Sequence, residues 1–136
     1  MKRLRMLIVE DEFLSRNLLA SLVAERGSAD VAVDGEEAVR AVKYAYDSGS
    51  PYDVIFLDIM LPVMDGQEAL LRIRDYERER GLHAPEGCKV VMTTALSDAR
   101  NVMDAFKGQC EAYIVKPYNK PKIEEQLKSI GLLDPQ

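Results

Sequence analysis

The sequence predicts an α/β protein in which a parallel β-sheet is covered by helices on both faces. Short apolar segments, typical of buried strands, alternate five times with longer segments whose apolar residues recur at helical spacing. That alternation favours parallel strands joined by right-handed helical crossovers. The length of 136 residues and the 47% hydrophobic content are those of one globular domain. With no internal repeat or linker, we expect a single domain over residues 1–136, with its core at about 4–131.

The first two predicted strands flank an apolar helix. Residues 4–9 form the first strand, which runs into the acidic triplet 10–12. The apolar residues of the helix that follows are Leu14, Leu18 and Leu22 at four-residue spacing, with Leu19 and Val23 beside them. We expect Gly27 to end this helix and residues 29–33 to form the second strand.

The middle of the chain contains two helices on either side of the most apolar strand. Residues 36–47 predict a second helix, whose inward residues are Ala38, Val39, Val42 and Tyr46. The third strand lies within residues 52–58, and after Gly66 a third helix places Ala69, Leu70 and Ile73 inward. The charged stretch 72–80 is read as a solvated helix end with i,i+4 ion pairs.

The last third of the chain repeats the pattern twice. A fourth strand over 89–92 ends at Thr93, Thr94 and Ala95, and residues 98–107 predict a helix that Gly108 stops. Residues 112–115 form a fifth strand that ends in Lys116 and Pro117. Pro121 suits the first turn of a last helix, whose buried face is expected to carry Ile123, Leu127 and Ile130.

Composition and charge exclude several classes of function. The formal net charge of −5 argues against unaided binding of nucleic acid, which needs a basic surface. No apolar run approaches the roughly 20 residues that cross a bilayer, and the apolar block after the basic N-terminus is too short for a signal peptide, so we expect a cytoplasmic protein. Cys88 and Cys110 are expected to be free thiols. A single histidine, His83, excludes a histidine-rich metal site and a histidine-based catalytic triad.

The stretch 52–66 organises the candidate site. Four consecutive apolar residues, 54–57, suit a strand buried on both faces, and the run ends at an acid, Asp58. Pro62 and the pair Asp65-Gly66 then mark a turn. Ligands of open α/β sheets bind at the carboxyl ends of central strands, so Asp58 lies where such a ligand would bind.

The other strand ends supply a compatible set of groups. In a parallel sheet, the residues that follow the strands gather along one edge; here they are Glu10, Asp11, Asp58, Thr94 and Lys116. Three carboxylates without histidine or cysteine favour a hard cation, Mg²⁺ or Mn²⁺. Asp58 can then act as a nucleophile for phosphoryl transfer, with positive charge from the metal and Lys116 and a hydrogen bond from Thr94.

Two neighbours of Thr94 complete this hypothesis. The small side chain of Ala95 leaves the phosphoryl pocket open and puts the Ala95 backbone N–H within reach of it. Thr93 is a second hydroxyl, but strand alternation is expected to point its side chain away from the site.

Two nucleotide-binding alternatives within this fold class fit poorly. A dinucleotide-binding domain needs G-x-G-x-x-G after its first strand, where this chain has Glu10, Asp11 and Glu12. A flavodoxin-type FMN site needs hydroxyls and backbone amides in the same loop, and three acids there would repel the FMN phosphate.

At these residues the sequence resembles the receiver (CheY-like) domain of two-component response regulators. Five motifs carry the resemblance in the family's order: residues 8–12, the stretch 56–66, Thr94-Ala95, Tyr113 and Lys116-Pro117. The resemblance covers essentially the whole chain. It implies a doubly wound, five-stranded (βα)₅ flavodoxin-like sheet of strand order 2-1-3-4-5. The Lys116-Pro117 bond in such domains is typically cis.

The resemblance also implies roles for the site residues. Asp58 would accept a phosphoryl group from a histidine kinase or a histidine phosphotransfer protein. Asp11, Asp58 and the Met60 backbone carbonyl would bind Mg²⁺, with Glu10 acting through water. Thr94 and Lys116 would close over the phosphoryl group, and Tyr113 would change rotamer as Thr94 moves. The segment between Asp58 and Thr94 is longer than usual, which we read as a longer surface helix without effect on the site.

The expected output is a partner-binding surface, because no effector domain follows the last helix. The resemblance places that surface on the helix at 98–107, the fifth strand and the last helix, including Met103, Lys107, Tyr113, Tyr118 and Lys122. We expect a monomer or a phosphorylation-dependent homodimer that binds neither nucleic acid nor membrane. Two alternatives stay open: a phosphorelay intermediate, and a Mg²⁺-dependent phosphatase with an aspartyl nucleophile. A dehalogenase-like phosphatase would need an acid where Met60 stands, which counts against the second alternative.

Overall fold

A computed structural model describes residues 3–83, 86–95 and 109–133 of the chain. Its strands are β1 (Leu4–Val9), β2 (Gly27–Ala32), β3 (Val54–Asp58), β4 (Lys89–Thr94) and β5 (Ala112–Val115). All neighbouring strands pair in parallel, and the order across the sheet is β2-β1-β3-β4-β5. The predicted fold class and strand order are therefore confirmed.

Helices cover the sheet on both faces. Within the described ranges they are α1 (Phe13–Val23), α2 (Gly35–Asp47), α3 (Gly66–Glu79) and α4 (Lys120–Ser129). The helix predicted over 98–107, with Met103 and Lys107, lies outside the described residues. Among the helices that are described, none has the length and apolar character needed to span a membrane.

Two apolar cores lie on opposite faces of the sheet. On one face, Leu7 and Leu57 pack with residues of α2 and α3, such as Leu70. On the other face, Ile8 and Phe56 pack with residues of α1 and α4. Because successive strand residues alternate between the two cores, a central strand such as β3 must be apolar at every position, as its sequence is.

The side of α1 that faces the core differs from our prediction. Leu19 and Val23 are buried, whereas Leu14 and Leu18 are 72% and 44% exposed. The helix carries apolar residues on more than one side, so its four-residue spacing did not identify the face that meets the sheet. Gly27 does not end the helix either, because a 3₁₀ turn follows Val23 and Gly27 opens β2. A Cβ at Gly27 would collide with the backbone of Leu4, its partner in β1.

Side-chain caps fix where the helices after the strands begin. Asp34, Asp65 and Asn119 each accept a hydrogen bond from the backbone N–H three residues further on, at 2.8 to 2.9 Å. Gly66 begins α3 directly against the backbone of Asp58, where any Cβ would collide with the Asp58 carbonyl. The glycine therefore allows α3 to begin beside the end of β3.

We predicted that the charged end of α3 is solvated, but part of this stretch is buried. Glu77 is 2% exposed and pairs at 2.8 Å with Arg74, three residues earlier in the helix. Arg72 forms the expected i,i+4 surface pair with Glu68, whereas Arg78 pairs at i,i+3 with Asp75. The helix thus carries one buried ionic side within a charged stretch.

Candidate functional site

The strand-end residues gather at the carboxyl edge of the sheet. Glu10 lies just past β1, Asp58 ends β3, Thr94 ends β4 and Lys116 lies just past β5. Backbone hydrogen bonds extend the sheet beyond the assigned strands, from Glu10 N–H to the Ala32 carbonyl and from Lys116 N–H to the Thr94 carbonyl, at 3.1 and 2.8 Å. These bonds fix the positions of the two residues at the edge.

Lys116 joins two buried acids. Its Nζ lies 2.6 Å from Glu10 Oε1 and 2.9 Å from Asp58 Oδ2, while the Glu10 and Asp58 residues are 1% and 4% exposed. The peptide bond from Lys116 to Pro117 is cis, as the resemblance implied. One ammonium group thus serves two carboxylates that have lost most of their contact with water.

Burial and the shared contact with Lys116 shift the pKa values of the two acids in opposite directions. Burial and the hydrogen bond with Glu10 raise the pKa of Asp58 to about 6, and Lys116 only partly offsets them. Burial acts to raise the pKa of Glu10 as well, but hydrogen bonds with Asp58 and Lys116 outweigh it and hold that pKa below its ordinary value. A further cation would relieve the repulsion between the two carboxylates.

The donor set fits a hard divalent cation. Glu10, Asp11 and Asp58 each offer a carboxylate oxygen, and these atoms lie within 4.8 Å of one another. Opposite ligands of an octahedral Mg²⁺ are about 4.2 Å apart, so a small adjustment would bring the three acids around one ion. Asp11 is exposed, which leaves the cluster open to solvent on one side. The predicted acids therefore do converge, in an arrangement suited to Mg²⁺.

The other predicted residues lie around this cluster. The Met60 N–H lies 3.3 Å from Asp58 Oδ1, and the Met60 side chain is 69% exposed. Thr94 is buried, and its hydroxyl donates a hydrogen bond to the Ala95 carbonyl at 3.1 Å instead of pairing with a carboxylate of the cluster. Ala95 is exposed, and Tyr113 on β5 is half-buried against the core that contains Leu57.

Tyr118 belongs to the site, although the sequence analysis placed it on the output surface. It is 6% exposed, and its hydroxyl lies 3.3 Å from Glu10 Oε1. A tyrosine two residues beyond Lys116 has no special meaning in the sequence alone. Only the fold brings it under Glu10, which is 108 residues away in the chain.

Thr93 also differs from our expectation. It pairs with Asp58 in the register of β3 and β4, and the preceding pair on that face, Phe56 and Val91, packs in the same core as Tyr118. The side chain of Thr93 therefore shares the face of Asp58 instead of pointing away from it. Its hydroxyl is buried and has no hydrogen-bond partner within the described part of the chain.

Comparisons with known proteins agree with this geometry. The model of the response regulator receiver domain matches residues 6–128. The chain is 30% identical to the chemotaxis protein CheY of Halobacterium salinarum and 33% identical to that of Listeria monocytogenes. Those alignments cover 93% and 92% of this chain and 95% and 96% of the relatives.

Among solved structures, the complex of CheX, CheY, BeF₃ and Mg²⁺ from Borrelia burgdorferi matches with a TM-score of 0.77 and 29% identity. That match covers 93% of this chain and 88% of the other. The TrrA response regulator of Thermotoga maritima, in complex with Mg²⁺ and BeF, matches with a TM-score of 0.71 and 31% identity, over 93% and 97% of the two chains.

Proposed function

Because the chain belongs to the response regulator receiver family, we propose that Asp58 accepts a phosphoryl group from a histidine kinase or histidine phosphotransfer protein. Receiver domains are signalling modules of two-component systems. In this chain the product would be an aspartyl phosphate that shifts the population of a partner-binding surface. The observation that carries the proposal is the convergence of Glu10, Asp11, Asp58 and Lys116 at one strand edge.

Asp58 is the acid best placed to be the nucleophile. It ends the central strand, and its Oδ2 already contacts the ammonium group of Lys116. Attack by a carboxylate oxygen on the donor's phosphorus forms the aspartyl phosphate and releases the donor's histidine. Lys116 would then neutralise charge on the phosphoryl oxygens.

Asp11, Asp58 and the Met60 backbone carbonyl are the proposed Mg²⁺ ligands, with Glu10 acting through water. When bound, Mg²⁺ would supply positive charge to the phosphoryl oxygens and relieve the repulsion among the acids. Relatives of known structure bind Mg²⁺ with BeF₃ or BeF, which supports this assignment. Mn²⁺, which prefers the same oxygen ligands, would substitute.

Thr94, Ala95 and Tyr113 are the proposed response elements. The Thr94 hydroxyl, which now bonds to the Ala95 carbonyl, would turn to the phosphoryl group, and the Ala95 N–H would donate to it. Tyr113 would follow Thr94 inward. A groove on the outside of β5 and α4, lined by Tyr113 and Lys122 among others, would change shape as a result.

The proposed partners follow from this surface. A downstream protein would bind β5 and α4 together with the helix expected at residues 98–107, which lie outside the described residues, and the chain would act as a monomer or a phosphorylation-dependent homodimer. In a solved structure, the receiver domain of Ssk1 from Saccharomyces cerevisiae is in complex with the phosphotransfer protein Ypd1, which supports a phosphotransfer donor here.

We propose a cytoplasmic, single receiver domain over 1–136 that catalyses only its own phosphorylation and dephosphorylation.

Acetyl phosphate and Mg²⁺ test the proposal directly. We expect intact-protein mass spectrometry to show one added phosphoryl group, lost in EDTA and absent from Asp58→Asn. The matched control is Asp75→Asn, an exposed acid on α3 that pairs only with Arg78 among the described residues, and it should behave as the wild type. Phosphorylation of Asp58→Asn at the wild-type level would overturn the proposal.

The phosphorylated wild-type protein can also distinguish the proposed switch from the two alternatives, a phosphorelay intermediate and a phosphatase. A relay intermediate would return the phosphoryl group to a histidine phosphotransfer protein, whereas an endpoint switch would lose it only to water. Release of many phosphates per molecule from a phosphoester would instead indicate the phosphatase.

A further inference from the structure

The carboxylate of Glu10 accepts a hydrogen bond from Tyr118, a residue that the proposed phosphoryl transfer does not use. Its Oε1 lies 2.6 Å from Lys116 Nζ and 3.3 Å from the Tyr118 hydroxyl. A carboxylate oxygen has two lone pairs, so these two contacts fill the hydrogen-bonding capacity of Oε1. Oε2 has a long contact, 3.4 Å, with the Glu12 N–H. Tyr118 therefore helps fix the Glu10 carboxylate on Lys116.

In the described part of the chain, the Thr93 hydroxyl is buried near Tyr118 without a well-formed hydrogen bond. Thr93 is 1% exposed, and among the described residues its Oγ1 has no hydrogen bond of ordinary geometry. It shares the face of Asp58, and burial raises the pKa of the Tyr118 phenol while a weak hydrogen-bonding contact from the Thr93 hydroxyl partly lowers it. Because a buried hydroxyl without a partner is destabilising, a state in which Thr93 gains a hydrogen bond would be favoured.

We propose that Tyr118 is a positioning residue for the metal site, which exchanges its hydrogen bond between Glu10 and Thr93. In the metal-free protein the Tyr118 hydroxyl donates to Glu10 and keeps that carboxylate on Lys116. When a divalent cation draws Glu10 away, the Tyr118 hydroxyl would be left buried and unpaired unless another acceptor is near. The Thr93 hydroxyl, whose weak contact with Tyr118 leaves lone pairs available among the described residues, supplies that acceptor.

The exchange would connect the metal site to β4. Thr93 directly precedes Thr94, so a hydrogen bond gained by Thr93 on cation binding acts on the strand that carries the proposed response element. This inference rests on the proposed function, since it assumes that the acid cluster binds Mg²⁺. It goes beyond that function because it assigns Tyr118 and Thr93 an effect on cation affinity before any phosphorylation.

Titration calorimetry of Mg²⁺ into the metal-free protein, without a phosphodonor, measures this effect. We expect Tyr118→Phe to bind Mg²⁺ more tightly, by about fivefold, because one hydrogen bond no longer holds Glu10 back. Thr93→Val should bind more weakly by a similar factor, because the displaced Tyr118 hydroxyl loses its alternative acceptor. Both changes keep the shape of the side chain nearly unchanged.

The double variant decides between an exchange and two unrelated effects. Without the Tyr118 hydroxyl, Thr93 has nothing to accept, so Tyr118→Phe with Thr93→Val should bind Mg²⁺ as tightly as Tyr118→Phe alone. Thr93→Ser keeps the hydroxyl and should bind as the wild type does. Tyr52→Phe is the matched control, because the buried Tyr52 donates to a carboxylate, Asp30, at 2.7 Å and away from the acid cluster.

The outcomes distinguish this inference from the proposed function. Additive effects in the double variant, or an unchanged Mg²⁺ affinity of Tyr118→Phe, would overturn the exchange while leaving Asp58 as the acceptor. A wild-type protein that neither binds Mg²⁺ nor becomes phosphorylated would overturn the proposed function and the exchange with it.

Discussion

At the carboxyl end of the sheet two buried acids share one ammonium group, whereas at the amino end one buried acid has a partner for each of its oxygens. Glu77 Oε1 pairs with Arg74 at 2.8 Å. Its Oε2 accepts from the Cys88 N–H at 2.7 Å and from the Tyr46 hydroxyl. Asp58 and Glu10, by contrast, divide the single charge of Lys116.

The guanidinium at the amino end is equally well satisfied. Arg74 donates from Nε to the Gln109 carbonyl, from Nη1 to the Cys88 carbonyl and from Nη2 to Glu111, at 2.8 to 2.9 Å. These bonds tie α3 to the segments that lead into β4 and β5. Burial of charge is tolerated there because each charged atom has found a partner.

The comparison teaches that burial alone does not identify a functional acid. Glu77 and Asp58 are similarly buried, at 2% and 4% exposure. The difference lies in the partners: a saturated carboxylate holds the fold together, and a carboxylate short of positive charge is ready to bind a cation. The shortage of positive charge around the carboxylates, and not how deeply they are buried, distinguishes the functional end of the sheet.

The turns at the two ends of the sheet also differ in their backbone geometry. Three turns that follow helices use Gly49, Gly81 and Gly131 at φ values of 81 to 84°, which glycine adopts without strain. In the turn after β3, beside the acid cluster, Val63 has a φ of 68°, and it is the one non-glycine residue with positive φ in the described ranges. A β-branched residue in this region is strained.

The largest effect that tests this comparison is the loss of Glu77. Glu77→Ala leaves Arg74 and the Cys88 N–H without their buried partner, and we expect the free energy of unfolding to fall by about 3–5 kcal/mol. Urea denaturation measures it. Glu79→Ala, an exposed acid on the same helix, is the control and should change stability by less than about 0.5 kcal/mol. Equal effects would mean that Glu77 is no more than a surface charge.

At the carboxyl end of the sheet, removal of a buried acid should raise the free energy of unfolding instead of lowering it. Since burial and Glu10 raise the pKa of Asp58 from 3.8 to about 6, ionised Asp58 destabilises the metal-free fold. Its favourable contribution is complete below about pH 4 and is lost as the pH rises through about 6. In EDTA at about pH 7.5 we expect Asp58→Asn to gain about 1 kcal/mol, and to gain little at about pH 4.

Asp75→Asn, which removes an exposed acid away from the cluster, is the matched control and should change stability by less than about 0.5 kcal/mol. Denaturation curves of both variants against the wild type, at matched pH values, measure the difference. A loss of stability in Asp58→Asn at neutral pH would mean that the bond from Lys116 outweighs the repulsion from Glu10.

The smallest effect concerns the strained turn. Val63→Gly should raise stability by about 0.5 kcal/mol, because relief of the positive φ exceeds the added entropy of glycine in the unfolded chain. The side chain is 77% exposed, so little packing is lost. Val63→Ala, which keeps the Cβ, is the control and should gain less stability than Val63→Gly. A destabilised Val63→Gly would show that the turn is not strained.

The functional end could be predicted from sequence more completely than the structural end. Asp58, Lys116 and the acids after β1 each terminate an apolar strand, so the parallel sheet alone brings them to one edge. The Glu77 network had no such pattern. Its partners, Tyr46 and the Cys88 N–H, lie on other elements, and a glutamate within a charged helix end is indistinguishable from its solvated neighbours.

The same limit explains the other differences. The spacing of leucines in α1 left more than one apolar side, and contact with the sheet selected the one that contains Leu19 and Val23. Tyr118 and Thr93 were misplaced because their positions depend on the register of β3, β4 and β5 and not on local periodicity. Sequence periodicity predicted elements, whereas side-chain partners depended on tertiary contacts.

The most direct test of the central claim is to locate the phosphoryl group. After incubation with acetyl phosphate and Mg²⁺, borohydride reduction converts an aspartyl phosphate to homoserine, which peptide mass mapping assigns to one residue. The account predicts homoserine at position 58 alone, with none after treatment in EDTA. Homoserine at Asp11, or reduction of Glu10 in place of Asp58, would contradict it.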